Sequence, residues 1–566
     1  MDGGHQRAVP VTVDAAQELV QGLEQLNAIG ASLSAERDIR RLLESILMAA
    51  KAITRADGGT LYRIGNDGTL HFEIVRTTSL AYYLGGTSGN PVPFYPIQLV
   101  DADGRPNHSM VAAHVALTGE TVNVPDAYTA EGYDFSGTRA VDQQTGYRSQ
   151  SFLTVPLKNH ENEVIGVLQL INATNADRSE IIPFTLSHQR LAESLASQAA
   201  IALTNRTLVI QLEELFESFI TVISSAIDQK SPDTGGHCQR VPLLTMMLAE
   251  AASDVRQGPL AAFTMTDRDR YELKIAALLH DCGKVTTPVH VVSKATKLET
   301  IWDRIHLIDT RFEVLKRDAK IQQLQERALA VATGASAAEL AAIDRRFQDS
   351  EWQLHDARDF LRACNSGSEG MAASDQERVR EIAGLRWTDL SGREADFLSA
   401  DGVLNLTIRS GTLTAEERQV VKHHIVATMK MLESLPWPKH LERVPEFAGG
   451  HHERVDGTGY PKGLKREEMS VQARVMGIAD VFEALTAKDR PYKKGMSLSE
   501  ALQVLGKMSE DGHLDPDLFE VFLRAKVYRR YAEQFLDPEQ LDAVDESRIP
   551  GHSGFRSPPP PADSPG

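Results

Sequence analysis

"AALLHDCGKV", residues 276–285, ends an apolar run on a histidine and an aspartate. The run Ala276-Ala277-Leu278-Leu279 reads as the end of an apolar helix. A charged Asp281 at its end is costly unless it is paired or bound to a metal. His280 and Asp281 together offer a nitrogen and an oxygen ligand, Gly283 opens a turn, and Lys284 sets a cation beside the carboxylate. A His-Asp dipeptide is weak by itself. His355-Asp356, in "WQLHDARDFL", is a second one, on a charged amphipathic helix where a solvated face is expected.

Four more stretches give the first one company. "VMGIADVFEAL" (475–485) places Asp480 in an otherwise apolar helix, as a salt-bridged core aspartate or as a metal ligand. "VVKHHIVATMKML" (420–432) offers His423 and His424, and "SPDTGGHCQRV" (231–241) offers Asp233 and His237 around two glycines. In "GGHHERVDGTGYPKGL" (449–464) His451 and His452 are adjacent. Neighbouring side chains on a helix diverge by about 100°, so at least one of the pair is expected to point inward, where its ring nitrogens need partners. Histidine and carboxylate ligands without cysteine suit Fe, Mn, Zn or Ni, and carboxylates can bridge two ions. Paired ions are a recognised device for phosphoester displacement.

The ordered set His280-Asp281-x-Gly283-Lys284, His424, His451-His452-Glu453, Gly459-Tyr460-Pro461 and Asp480 resembles the HD-GYP family, a branch of the HD-domain metal-dependent phosphohydrolases. The resemblance covers about 215–300 and 408–535. It implies an all-helical phosphodiesterase that cleaves cyclic di-GMP to pGpG, GMP or both, with two or three divalent transition-metal ions, iron or manganese. It implies metal ligation by His237, His280, Asp281, His424, His451, His452 and Asp480, with Asp281 bridging and the two adjacent histidines serving different ions. Lys284 would hold the scissile phosphate or the attacking hydroxide. Arg490 and Lys493, in "KDRPYKK", match substrate-contacting positions, and the loop around Tyr460 would shape the pocket mouth. A carboxylate at Asp233 matches members able to hold a third ion; the plainer reading is a helix cap. Two rival activities stand beside this one: hydrolysis of another cyclic dinucleotide such as 3′,3′-cGAMP, and an adaptor that binds diguanylate cyclases through the Gly459–Pro461 loop.

One departure from that pattern is the gap of 144 positions from 280 to 424. An Ala-, Arg- and Glu-rich stretch, 299–408, reads as an inserted helical subdomain and accounts for it. His306 and Asp309, in "WDRIHLIDTRFE", lie nearer in sequence and are rival ligands.

Ahead of this half, "GTLYRIGNDGTLHFEIV" (59–75) sets two alternating runs around Asn66-Asp67-Gly68, a hairpin signal. "SFLTVPLKNHENEVIGVLQLIN" (151–172) repeats the pattern around Asn159–Asn162. "GETVNVPDAYTAEGYDFSG" (119–137), followed by "TGYRSQSFLTVPL" (145–157) and "VIGVLQLINA" (164–173), resembles a GAF domain over about 36–205. The fold class expected is therefore an α+β GAF sensor domain joined by a long helix to an all-α HD-type domain. The boundaries are a lead-in helix within 1–35, the sensor domain 36–183, a connecting helix 184–230, the phosphodiesterase domain 231–547 and a Pro/Gly/Ser-rich tail 548–566. GAF domains sense cyclic nucleotides or other small molecules. Of the cyclic-nucleotide signature, "AVDQQTGYRS" (140–149) keeps only Asp142, so either a small-molecule ligand or a purely dimerising module is expected. On the connecting helix, Leu208, Leu212, Leu215, Phe219, Val222 and Ala226 recur at spacings of three and four. That stripe suits pairing of two chains as a homodimer, or laying the helix on its own domain.

A net charge of −18 argues against binding nucleic-acid polymers or anionic membrane surfaces. Three cysteines in 566 residues make no disulfide framework, and the first ten residues have no apolar signal core. The expectation is a cytoplasmic protein without membrane insertion.

Overall fold

The computed structural model describes residues 26–101, 103–230, 236–367, 370–389, 391–487 and 495–552. It divides into two compact units, residues 1–215 and 216–566.

The first unit is built on one antiparallel sheet. Helix α1 is described over residues 26–35, and α2 follows at Ile39–Thr54, capped by the Asp38 carboxylate. The strands are β1 (Ala56–Ile64), β2 (Thr69–Thr77), β3 (Tyr82–Gly85), β4 (Ile97–Gln98), β5 (Val122–Val124), β6 (Phe152–Lys158), β7 (Val164–Thr174) and β8 (Ile181–Ile182). The sheet runs β3-β2-β1-β7-β6-β5, with β4 beside β2 and β8 beside β7. Both expected hairpins form. Gly68 turns at φ 71° between β1 and β2, and Asn162 at φ 66° between β6 and β7. Strand alternation splits two cores. Leu61, Leu153 and Leu168 face α1, α2 and the long α5 (Leu186–Lys230), which comes after α4 (Ser136–Thr145) in the chain. Tyr62, Phe152 and Val167 face α3 (Val111–Thr118) on the other side.

Two boundaries shift here. Leu26 and Leu33 of the lead-in lie inside the sensor core, as do Leu195, Ala199 and Leu203 of the connecting helix. Both segments supply apolar faces that the sheet needs, so they are parts of this unit as well as connectors. Asp142 is buried and accepts from the Tyr128 hydroxyl and from the Ser149 amide and hydroxyl, each at 2.8 Å. The one signature residue is spent on internal bonds. Farther along α5, Leu208, Leu212, Leu215, Phe219, Val222 and Ala226 are all exposed.

The second unit is helical. After α5 come α6 (His237–Ser253), α7 (Asp267–Leu279), a 3-10 turn (Cys282–Thr286) and the short α8 (Val289–Val292). Then follow the paired α9 (Ile305–Ala332) and α10 (Ala337–Asn365), α11 (Ala373–Ala383), a small hairpin of β9 (Arg386–Thr388) and β10 (Glu394–Asp396), and α12 (Ala400–Leu406). The chain continues through α13 (Ala415–Glu433), α14 (Val444–Gly449), α15 (Val471–Thr486), α16 (Leu498–Glu510), α17 (Pro516–Arg524) and α18 (Val527–Phe535). The main core joins α6, α7 and α14–α18. The stretch from Leu298 to Leu406 has a core of its own, with Phe312, Leu361, Val379 and Phe397. The hairpin β9–β10 is its one pair of strands among the described residues.

Its two stems are tied together. Buried Lys294 reaches Asn405 at 2.9 Å and both oxygens of Glu417 at 2.8 Å, and Thr412 donates to the Lys294 carbonyl. Glu417 is also part of the capping box that starts α13. The inserted stretch leaves and returns at one place, so the long gap does not separate His280 from His424.

Among the described residues no helix is long and apolar enough to cross a membrane.

Candidate active site

Five segments converge. His237 opens α6 and His280 ends α7. Asp281 starts the 3-10 turn, and His424 lies in the third turn of α13. His451 and His452 follow the end of α14, and Asp480 sits in the middle of α15.

Asp281 is at the centre. Its Oδ2 lies 3.3 Å from His237 Nε2 and 3.2 Å from His280 Nε2, while its Oδ1 lies 3.3 Å from His424 Nε2. Asp480 Oδ1 approaches His237 Nε2 at 3.3 Å and His280 Nε2 at 3.8 Å. Ligand atoms gather in two groups, His237–His280–Asp281 and His424–His451–His452, each within 4.8 Å internally. The rings of His451 and His452 lie 4.2 Å apart, and that of His451 is 4.9 Å from His280. The adjacent histidines therefore bring their ligand atoms into one group with His424. They lie in the turn past Gly449, not on a helix, so the helical divergence does not apply to them.

The donor atoms fit metal ions. The Nε2 atoms of His237, His280, His424 and His451, and Asp281 Oδ1, are buried and make no hydrogen bond. Buried polar atoms are nearly always satisfied, so five such atoms aimed at one space mark a ligand position. Each ring is fixed through its other nitrogen. Nδ1 of His280, His424 and His451 meets the carbonyls of Ala277, Val421 and Ala448 at 2.8, 2.5 and 2.6 Å. That leaves Nε2 as the free lone pair. Ligands at about 2.1 Å from an ion lie roughly 3 Å from one another, close to the separations around Asp281.

Electrostatics point the same way. Burial pushes His452 down to about 4, and burial with the neighbouring imidazoles holds His451 well below the usual range. Both stay neutral, as a ligand must. Burial opposes charge on His237, but Glu483, Asp281 and Asp480 outweigh it and raise its pKa. The same anions would favour a dication in place of that proton. Burial likewise opposes charge on Asp281, and Lys284 with the surrounding histidines holds its carboxyl far below the ordinary range. The Lys284 ammonium sits 2.5 Å from Asp281 Oδ2.

Glu453 holds the loop that follows the two histidines. It is buried and accepts from the Lys462 and Leu464 amides at 2.7 and 2.9 Å. This bends the loop back so that Tyr460 stacks on His452, with ring centroids 4.9 Å apart and 23° between planes. Gly459 passes so near Glu453 and Arg454 that a Cβ would lie 2.3 Å from the Arg454 nitrogen. Lys422 Nζ lies over the Tyr460 ring, 5.1 Å from its centroid.

Sequence reasoning found the converging histidines and aspartates but gave no role to Glu453, Lys422, Glu483 or Arg240. Glu483 lies three residues beyond Asp480, and that spacing was the available signal. His306 is exposed, and Asp309 pairs with Arg362 at 3.2 Å inside the inserted stretch. Neither joins the site. His423 is exposed, and His355-Asp356 lies on α10 facing Lys316 and Arg378. Asp233, Arg490 and Lys493 lie outside the described residues.

Comparison with known proteins adds three family matches: a GAF domain over residues 38–203, and HD domains over 234–353 and 394–518. The chain carries a GAF domain and an HD domain. The two HD matches fall on either side of residues 354–393, within the inserted stretch. A cyclic di-GMP phosphodiesterase of Pseudomonas aeruginosa is 40% identical over 126 residues, 22% of this chain and 28% of that protein. One of Thermotoga maritima is 35% identical over 135 residues, 23% of this chain and 36% of that protein. A 3′3′-cGAMP-specific phosphodiesterase of Vibrio cholerae is 46% identical over 81 residues, 14% of this chain and 19% of that protein. The chain thus spans little more than a third of the length of these relatives at most. A solved GAF domain, from an Acinetobacter phosphoenolpyruvate-protein phosphotransferase, covers 34% of this chain and 98% of its own at 16% identity, with a TM-score of 0.25.

Proposed function

We propose that this chain is a metal-dependent phosphodiesterase that opens cyclic di-GMP to linear pGpG and, by a second cut, to GMP. The observation that carries the reading is Asp281, whose two oxygens face two separate groups of imidazole nitrogens. In this reading His237, His280, Asp281, His424, His451, His452 and Asp480 hold two divalent ions, iron or manganese. Bound there, such ions supply Lewis acidity and a water of lowered pKa. Asp233, Arg490 and Lys493 belong to the proposal as a third-ion ligand and two substrate contacts.

The residues divide the work. Burial disfavours the Lys284 cation, but Asp281 and Asp480 raise its pKa, so it stays charged and can face the equatorial phosphate oxygens. Tyr460, held by His452 and Lys422, would turn its edge and hydroxyl toward the base or sugar beside the scissile bond. Its hydroxyl is pushed up to about 12 by burial and the two nearby aspartates, so it stays a neutral donor. Water adds across the P–O3′ bond, and the 3′ oxygen leaves with a proton.

Lys284→Met should keep its metal count and lose kcat by about 100-fold or more, the scale of losing one oxyanion partner. Unchanged kcat would remove Lys284 from the chemistry. The function is tested by incubating anaerobically purified full-length protein with cyclic di-GMP and resolving products by chromatography. Intact cyclic di-GMP beside cleaved 3′,3′-cGAMP would favour the second reading, which the Vibrio cholerae relative supports.

Regulation by the GAF domain is part of the proposal. The end of α5 grips the site: Ser224 donates to the Cys238 carbonyl at 3.3 Å, and the Cys238 amide donates to Asp228 at 3.2 Å. Lys230 reaches the Lys284 carbonyl at 3.4 Å. A shift in α5 would move residues beside His237 and Lys284. Deleting residues 1–205 is therefore expected to change turnover; unchanged turnover and metal content would end this part of the proposal. The exposed Leu208–Val222 stripe supports pairing of two copies. The three free cysteines support a cytoplasmic setting. Capture of a diguanylate cyclase would pass through the loop at Gly459–Pro461; a replacement of that loop that broke capture while turnover survived would favour the adaptor reading over a substrate role for Tyr460.

A further inference from the structure

The four buried ligand imidazoles are not anchored alike. His280, His424 and His451 each give Nδ1 to the carbonyl three residues earlier. His237 is the first residue of α6, so no preceding helical turn offers it such a carbonyl. Its Nδ1 meets Glu483 Oε2 instead, at 2.5 Å. Glu483 stands one turn beyond Asp480 on α15, and its side chain is 1% exposed. Its other oxygen takes Arg240 Nε at 2.7 Å, and Arg240 is one turn beyond His237 on α6. The carboxylate is thus clamped between two residues of the neighbouring helix, and one of them points Nε2 at Asp281 and Asp480.

A carboxylate behind a ligand imidazole fixes its tautomer and raises its basicity more than a neutral carbonyl does. We propose that Glu483, acting through His237, makes the two metal positions unequal, with the His237–His280–Asp281 position the tighter. Glu483 is then a positioning residue. The idea rests on the metal-centre reading above and does not depend on which cyclic dinucleotide is cut. The competing role for Glu483 is purely structural, a clamp between α15 and α6.

The test is metal binding by the full-length chain, stripped with a chelator and titrated with Mn²⁺ in equilibrium dialysis. The class of ions that disappears in His237→Ala defines the tighter position, and the class that disappears in His424→Ala defines the other. In the unmodified protein the first class should bind more tightly. Glu483→Gln keeps the size and one acceptor but removes the charge, and it should weaken the first class by about 10–100-fold and leave the second unchanged. Glu483→Asp keeps the charge one methylene farther back and should shift the same class by less, which serves if the Gln variant does not fold. Melting of the stripped variants reports folding separately. Unchanged affinity in Glu483→Gln, equal weakening of both classes, or a first class no tighter than the second would overturn the proposal. Two unequal classes in a protein that cleaves no cyclic dinucleotide would uphold it while the functional reading fell.

Discussion

Asp281→Asn is expected to lose both metal positions and to lower turnover by on the order of 1,000-fold or more. The asparagine keeps the size of the side chain but removes the charge and one of the two acceptor oxygens that face His237, His280 and His424. It also leaves the Lys284 cation, 2.5 Å from Asp281, without its nearest anion. Losing one partner of a buried pair costs about 3–5 kcal/mol; Lys284 keeps some contact with solvent, so the low end applies. The expected outcome is a folded protein with a lowered melting temperature, little bound metal and no product. Metal content equal to that of the unmodified chain would show that Asp281 does not join the two groups.

Gly283→Ala is expected to be nearly as damaging, through packing. A Cβ built on Gly283 would lie 2.0 Å from the His424 carbonyl oxygen, 2.5 Å from the Thr428 nitrogen and 2.6 Å from the Thr428 hydroxyl. Two of these are backbone atoms of α13 and cannot step aside. The Gly283 amide also donates to that hydroxyl at 2.8 Å. The 3-10 turn that carries Asp281 and Lys284 is therefore seated directly on the helix that carries His424. One methyl group would push the two apart, at a cost above about 3 kcal/mol. It would also move His424 away from Asp281, so metal bound through His424 should be lost first. Calorimetry and metal counting check this together; a variant that melts like the unmodified protein and keeps its metal would mean the turn and α13 are not in contact.

Much of this site was legible because its chemistry needs rare residue types in apolar surroundings. Asp281 and Asp480 each interrupt an apolar run, and two hairpin turns announced the sheet through Asn, Asp and Gly. Other features depend on contacts that local sequence does not carry. Leu26 and Leu33 read as part of a lead-in helix, and only the sheet they cover makes them sensor core. Glu483 reads as one more acid on a helix, until α6 brings His237 and Arg240 to it from about 240 positions earlier. The assignment of His424 over His306 turned on whether the inserted stretch returns to its origin. The Lys294–Glu417 pair closing its base is a contact between positions far apart in the chain. His451 and His452 were expected to diverge as on a helix; α14 stops at Gly449, and the turn brings both toward His424.

The most direct test of the account is the number of metal ions per chain in anaerobically purified, full-length protein, counted alongside Asp281→Asn and followed by incubation with cyclic di-GMP. The account predicts at least two transition-metal ions per unmodified chain, linear product from that chain, and neither from the variant. A chain that stays metal-free after reconstitution with iron or manganese would contradict it.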